Sequence, residues 1–141
     1  MKFEYLKQPN FADPNRPWVS RPLIPVRLFH KDKQVDVYAL VDSGADVSLF
    51  HTSLAKELGI DITNGRKQTF FGISAGVGVL AYFHLIKLQV LGASEAVEFE
   101  AAFTDSMGVG AILGQSGFFD KYHIRFERDK ERIEIIPAKK S

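Results

Sequence analysis

Asp42-Ser43-Gly44-Ala45-Asp46 places two carboxylates, a hydroxyl and a glycine directly behind an apolar run, Val37–Val41. Carboxylates so displayed can act as general acid or general base, taking a proton from water or giving one to a leaving group. A lone carboxylate at the end of a buried strand is costly unless something compensates it, and Asp42 is the residue that needs the compensation. The triplet alone says little: at an ordinary glycine frequency of about 7%, D-[ST]-G arises by chance in roughly one chain in twenty of this length, so its surroundings must carry the argument.

Other chemistries are poorly supplied. With Cys 0, disulfides, thiol catalysis and cysteine-based zinc sites are excluded together, which suits a reducing compartment. The four histidines, His30, His51, His84 and His123, lack H-E-x-x-H or any other ligand spacing, so neither a metal nor another cofactor is expected. Ser43 lacks the G-x-S-x-G elbow of a hydrolase nucleophile. Gly76-Val77-Gly78-Val79-Leu80-Ala81 formally fits a dinucleotide fingerprint, but AYFHLIKLQV follows it where a capped helix should begin. Lys+Arg 18 against Asp+Glu 17 leaves a net charge of +1, giving no basic field for nucleic acid or an anionic membrane. No run approaches the roughly 18 apolar residues of a membrane span, and MKFEYLKQPNFADPNRPW has no apolar signal core. The expectation is a soluble, cytoplasmic protein.

The elements that must position Asp42 are mostly strands. A chain of 141 residues, 45% hydrophobic, fits one domain. Pro9, Pro14, Pro17, Pro22 and Pro25 crowd the start, so residues 1–22 read as an extended or irregular arm, with Trp18 anchoring it to the domain. Residues 23–137 form the domain and 138–141 a solvated tail. Strands are expected at Leu23–Phe29 and Gln34–Val41 around a charged turn, then at Val47–Phe50, and a short helix at Ser53–Ile60 capped by Ser53 and closed by Gly59. Lys67–Ile73 and Val77–Val90 read as a long hairpin with a glycine-bearing tip, GISAGVG. Val97–Phe103, Tyr122–Glu127 and Arg132–Ile136 complete the strands, and GQSGFFDKY after Ala111-Ile112-Leu113-Gly114 is a second helical candidate. The class is all-β, a small and mostly antiparallel barrel. Phe118-Phe119 and one of Phe70-Phe71 should furnish core, the other of the latter pair facing outward.

Strand, D-S-G-A-D, short strand, helix, glycine-tipped hairpin, apolar-apolar-Gly and short helix, in that order, resemble the retropepsin-like aspartic proteases, in particular their single-domain, bacterial-type members. The resemblance spans Leu23 to Ile136 and rests on VDSGAD and AILG. It implies a small closed retropepsin-like (acid protease) barrel with one or two short helices and a flap hairpin. It implies that Asp42 is catalytic, within an active-site loop continued by Ser43, Gly44 and Ala45. Ser43 would hydrogen-bond across two subunits, and Gly44 would contact substrate backbone. Asp46 would bind the substrate main chain, and Gly72, Ile73, Ser74, Ala75, Gly76, Val77 and Gly78 would form the flap tip. Ile112, Leu113 and Gly114 would brace the catalytic loop. Retroviral members follow the apolar-apolar-Gly with an arginine that pairs with the residue at Asp46; here Gln115-Ser116-Gly117 stand instead.

Such a reaction needs two carboxylates about 3 Å apart sharing one proton, a pair that titrates as a unit. The chain holds no second D-[ST]-G: Asp105-Ser106 runs into Met107, and Asp120 into Lys121. The resemblance therefore implies a homodimer pairing Asp42 with its symmetry copy, and a peptide or protein substrate lying between the subunits, hydrolysed as by an aspartic endopeptidase. The alternative is a non-catalytic dimeric peptide-binding or scaffold domain that keeps the fold, since activity resides in the site.

Overall fold

The computed structural model describes residues 1–71, 78–105 and 110–139. Alternating apolar residues in β4 (Leu23–His30) and β5 (Lys33–Val41) pair antiparallel around a tight turn at Lys31-Asp32, where Lys31 takes a left-handed φ of 52°. β5 then lies parallel to β10 (Ala111–Leu113), which pairs antiparallel with β6 (Leu49–His51). β6 runs parallel to β9 (Val97–Thr104), and β9 antiparallel to β8 (Gly78–Val90). Val26–Phe29 of β4 pair with Lys87–Val90 of β8, so these strands close into a ring of six; β7 (Arg66–Phe71) extends it outward as a hairpin with β8.

Inward-facing residues of the ring form the core. Ile24, Val26, Leu28, Phe50, Leu88, Phe103, Leu113 and Phe118 are fully buried, and each contributes roughly 1.5–3 kcal/mol by leaving water. Phe50 and Phe103 meet across β6 and β9 with ring centroids 5.8 Å apart. A second sheet, β1 (Lys2–Glu4), β12 (Arg132–Pro137) and β11 (Tyr122–Glu127), covers the barrel through Ile133 and Ile135. β2 (Leu6–Pro9) and β3 (Trp18–Arg21) pair only with each other. Among the described residues no helix is long and apolar enough to cross a membrane.

The all-β barrel expected from the sequence is present, with four differences of detail. The strand expected at Val47–Phe50 is Leu49–His51; Val47 makes only an isolated bridge to Ser116, because a crossing segment occupies the backbone there. The helix, α1 (Thr52–Glu57), is capped by His51 rather than Ser53: the imidazole Nδ1 accepts the Ser53 N–H at 3.1 Å. Gly59 closes it in the left-handed region, φ 68°. GQSGFFDKY forms successive turns, not a helix, since Gly117 sits at φ 96° and the Phe99 ring fills the space beside it. The N-terminal segment is strand, and it is anchored by Met1, Phe3 and Tyr5 packed on the core, while Trp18 is 59% exposed.

Candidate active site

Asp42 is the first residue beyond β5, and its backbone N–H still donates to Leu113 O of β10 at 3.0 Å. The chain then turns: Ala45 N–H donates to Asp42 O at 3.2 Å, and Gly44 N–H donates to the Asp42 carboxylate Oδ1 at 2.9 Å. Gly44 needs no left-handed angle here. Its role is close approach, since a Cβ at this position would stand 3.3 Å from Asp42 Oδ1 and crowd the amide–carboxylate bond. Asp42 and Ala45 are half-buried, whereas Ser43, Gly44 and Asp46 are exposed.

The segment after β10 runs beside this loop and locks it. Gln115 N–H donates to Ala45 O and Ser116 N–H to Asp46 O, each at 2.8 Å. Gly114 N–H donates at 3.1 Å to the hydroxyl of Ser48, which is fully buried. A side chain at Gly114 could not exist in this arrangement, because its Cβ would lie 2.3 Å from Val47 O. Gln115 Nε2 donates to Ser43 O at 2.7 Å, so the residue standing where an arginine was looked for grips the loop backbone rather than the Asp46 side chain. Ser48 and Gln115 escaped the sequence reading; the one available signal was the departure at Gln115 itself.

Ile112 and Leu113 flank Gly114 with opposite faces. Leu113 is buried in the core, and Ile112 is half-buried on the outer face. Cross-strand partners share a face, and the register joins Leu40, Ile112, Leu49, Ala102 and Phe83 into one apolar row across five strands of the ring. Phe83, Ala102 and Ala81 form an apolar cluster with Val47, Leu49 and Phe70, the Phe70 and Phe83 rings lying 5.9 Å apart. Arg66 covers its far end, 4.2 Å above the Phe83 ring. The row thus leads from the Asp42 loop to the β7–β8 hairpin. Gly78 opens β8 opposite Phe71 and is exposed; Gly72, Ile73, Ser74, Ala75, Gly76 and Val77 lie outside the described residues.

Several other acidic and imidazole side chains are engaged locally. Asp105 accepts a hydrogen bond from Thr52 Oγ1, and Asp120 accepts the Gly117 N–H at 3.1 Å. His30 and His84 hydrogen-bond to Leu58 O and Ile62 O. Asp42 differs from these in lying on a loop that a crossing segment, Gly114–Ser116, holds through its backbone.

The sequence profile of a family described as "gag-polyprotein putative aspartyl protease" matches residues 31–119, more than half of the chain and all of the Asp42 loop. The chain belongs to this aspartyl protease family. Solved structures place the aspartyl protease fold in the same company. A retropepsin-like aspartic protease from Rickettsia conorii is similar over 96% of this chain and 98% of its own, with TM-score 0.58 and 17% identity. The retroviral protease-like domain of Ddi1 from Leishmania major is similar over 84% of this chain and 96% of its own, with TM-score 0.55 and 20% identity. At these identities the likeness is one of fold: this is a small retropepsin-like barrel. No curated protein matches the sequence.

Proposed function

We propose that the protein is an aspartic endopeptidase acting as a homodimer, with Asp42 of each protomer contributing one carboxylate to a shared site. The observation that carries this reading is the Asp42 loop: a half-buried residue whose carboxylate has a single donor among the described residues, in a backbone frame held by the crossing segment Gly114–Ser116. Fixed geometry of this kind is what a positioned acid–base pair requires, and the free side of the carboxylate is where a second copy would meet it.

In that pair one carboxylate takes a proton from water as the water oxygen attacks the scissile carbonyl carbon. The other, protonated, gives its proton to the carbonyl oxygen. The gem-diol intermediate collapses as the first carboxyl gives the proton it took from water to the amide nitrogen and the C–N bond breaks, while the second carboxylate takes a hydroxyl proton back, so that acid and amine leave with the pair's single proton restored. Ser43 would steady the two loops across the axis, Asp46 and Gly44 would hold substrate backbone, and the tip 72–78 would close over it. The apolar row from Leu40 to Phe83 favours substrates with apolar side chains beside the cleaved bond. A chain without cysteine suits work in the reducing cytoplasm.

The test is cleavage of a diverse peptide library by the purified protein and by Asp42→Asn across acidic to neutral pH, with sedimentation recorded on the same samples. Cleavage that needs Asp42 and tracks the dimer is the expected result. A folded dimer that binds peptides without turning them over would instead mark a peptide-binding domain.

A further inference from the structure

A cavity of about 530 Å³ opens between the turn after β8 and the end of the terminal sheet. That volume suits a small organic molecule, and none of the lining comes from the Asp42 loop, from Gly114–Ser116 or from the apolar row. Its walls are tied by backbone and side-chain bonds. Gly92 takes φ 101° to turn the chain out of β8, Ala93 N–H donates to Val90 O at 2.9 Å, and Gln89 Nε2 donates to Ala93 O at 2.9 Å. On the sheet side, Ala138 N–H donates to Lys121 O at 2.9 Å and fastens the end of β12 beside the start of β11. Ala93, Val97, Ile135, Ile136 and Pro137 supply an apolar body.

Tyr122 supplies the polar anchor. Its ring is stacked on Phe118 and the residue is 5% exposed, yet it lines the cavity, and among the described residues no group hydrogen-bonds its hydroxyl. A buried phenol ordinarily has a partner, so the cavity is where one is wanted. Burial first, then the charge of Glu95, hold the proton on the phenol. Glu95 and Asp120 both line the cavity, Asp120 with one oxygen accepting the Gly117 N–H. Lys121 and Lys139 also reach the lining, but both are exposed and neither charge bears on the phenol, while the Met1 ammonium is engaged by Ile135 O at 2.7 Å. The hydroxyl therefore sits in the field of a carboxylate, which attracts a cationic hydrogen-bond donor and repels an anion.

We infer that this cavity binds a small organic ammonium, its apolar body against Ala93, Val97 and Ile135 and its N–H groups shared between the Tyr122 hydroxyl and the Glu95 carboxylate. Such binding does not depend on peptide cleavage at Asp42. The experiment titrates the isotope-labelled full-length chain with tryptamine, tryptophol and indoleacetate, which share one ring system and differ in the charge of the head group. Amide shifts and dissociation constants are read at low salt for wild type, Glu95→Gln and Tyr122→Phe. Tryptamine should shift the amides of Gly92, Ala93, Tyr122 and Ala138 and bind roughly fivefold tighter than tryptophol, with indoleacetate weaker again. Glu95→Gln, at an exposed position, should abolish the preference for amine over alcohol, and Tyr122→Phe should weaken both while the spectrum stays that of the folded chain. Equal affinity for the three head groups, or a preference that survives Glu95→Gln, overturns the ammonium site. Shifts confined to the Asp42 loop overturn it as well, since the amine would then lie in the proposed cleavage groove. Binding that is lost as rising protein concentration drives the chain to dimer overturns it too, by showing the cavity filled by the second copy. No shift at any soluble concentration of tryptamine overturns it outright.

Discussion

At the scale of single residues, Asp42 is set apart from Asp105 and Asp120 by the loop that carries it, which the crossing segment Gly114–Ser116 locks in place. Among the described residues one backbone N–H, from Gly44, donates to the Asp42 carboxylate, while Asp105 and Asp120 are occupied by Thr52 and Gly117. Replacing Asp42 by Asn keeps the size and the Gly44 contact but removes the acid–base function proposed for it. Turnover should fall by roughly a thousandfold or more with the thermal midpoint nearly unchanged, as compared by kcat/KM and calorimetry. Gly114 answers to a different constraint. An Ala there drives its Cβ into Val47 O and Ala45 O, which are backbone atoms that cannot swing aside. Gly114→Ala should cost about 3 kcal/mol or more in urea unfolding; a loss below about 1 kcal/mol would mean the crossing loops are looser than drawn. Asp42 and Gly114 were both legible in the sequence, because D-S-G-A-D and A-I-L-G are contiguous strings. Ser48 and Gln115 were not, since each acts on a partner 66 or 72 residues away, and the departure at Gln115 marks the position without saying what its side chain grips.

At the scale of elements, the strands were readable and the helices only partly. β-Branched and aromatic runs bounded by turns fix β4, β5, β8 and β9 to within a residue or two, because alternation survives in any context that buries one face. The second helix failed for a reason local propensity does not contain: Phe99, on a distant strand, fills the space where a side chain at 117 would go and leaves glycine in a left-handed turn. The crossing segment that results is also where Gln115 lies, and its side chain links the two loops at Ser43 O, 2.7 Å away. Gln115→Ala should therefore loosen the element more than it unfolds the protein. The exposed hydrogen bond is worth about 1 kcal/mol or less, whereas on the proposed function a misplaced Asp42 loop lowers kcat several-fold with KM nearly constant. Equal changes in kcat and in unfolding midpoint across Gln115→Ala and Gln115→Glu would argue that the side chain serves stability only.

At the scale of the whole molecule, the terminal strands cover the barrel, and the contact that registers this packing is Tyr122. It is 5% exposed, stacked on Phe118 with ring centroids 4.9 Å apart, and it begins β11, so its ring lies between the turns after β10 and the sheet that covers the core. Burial first, and then the charge of Glu95, hold its phenol above the usual tyrosine range. In the unfolded chain the same phenol ionises near 10. The raised folded value means that Tyr122 contributes its stability in full below about pH 10 and loses it as the pH climbs through the folded value, where unfolding is the easier way to release the proton. Tyr5, raised mainly by burial at the other end of the same sheet, acts in the same direction. Urea unfolding between about pH 8 and pH 11 should thus fall more steeply for the wild type than for Tyr122→Phe, which keeps the stacked ring and has no proton to lose. The two curves should converge toward the alkaline end. Parallel curves across that range would place the alkaline sensitivity elsewhere than in the seam between barrel and terminal sheet.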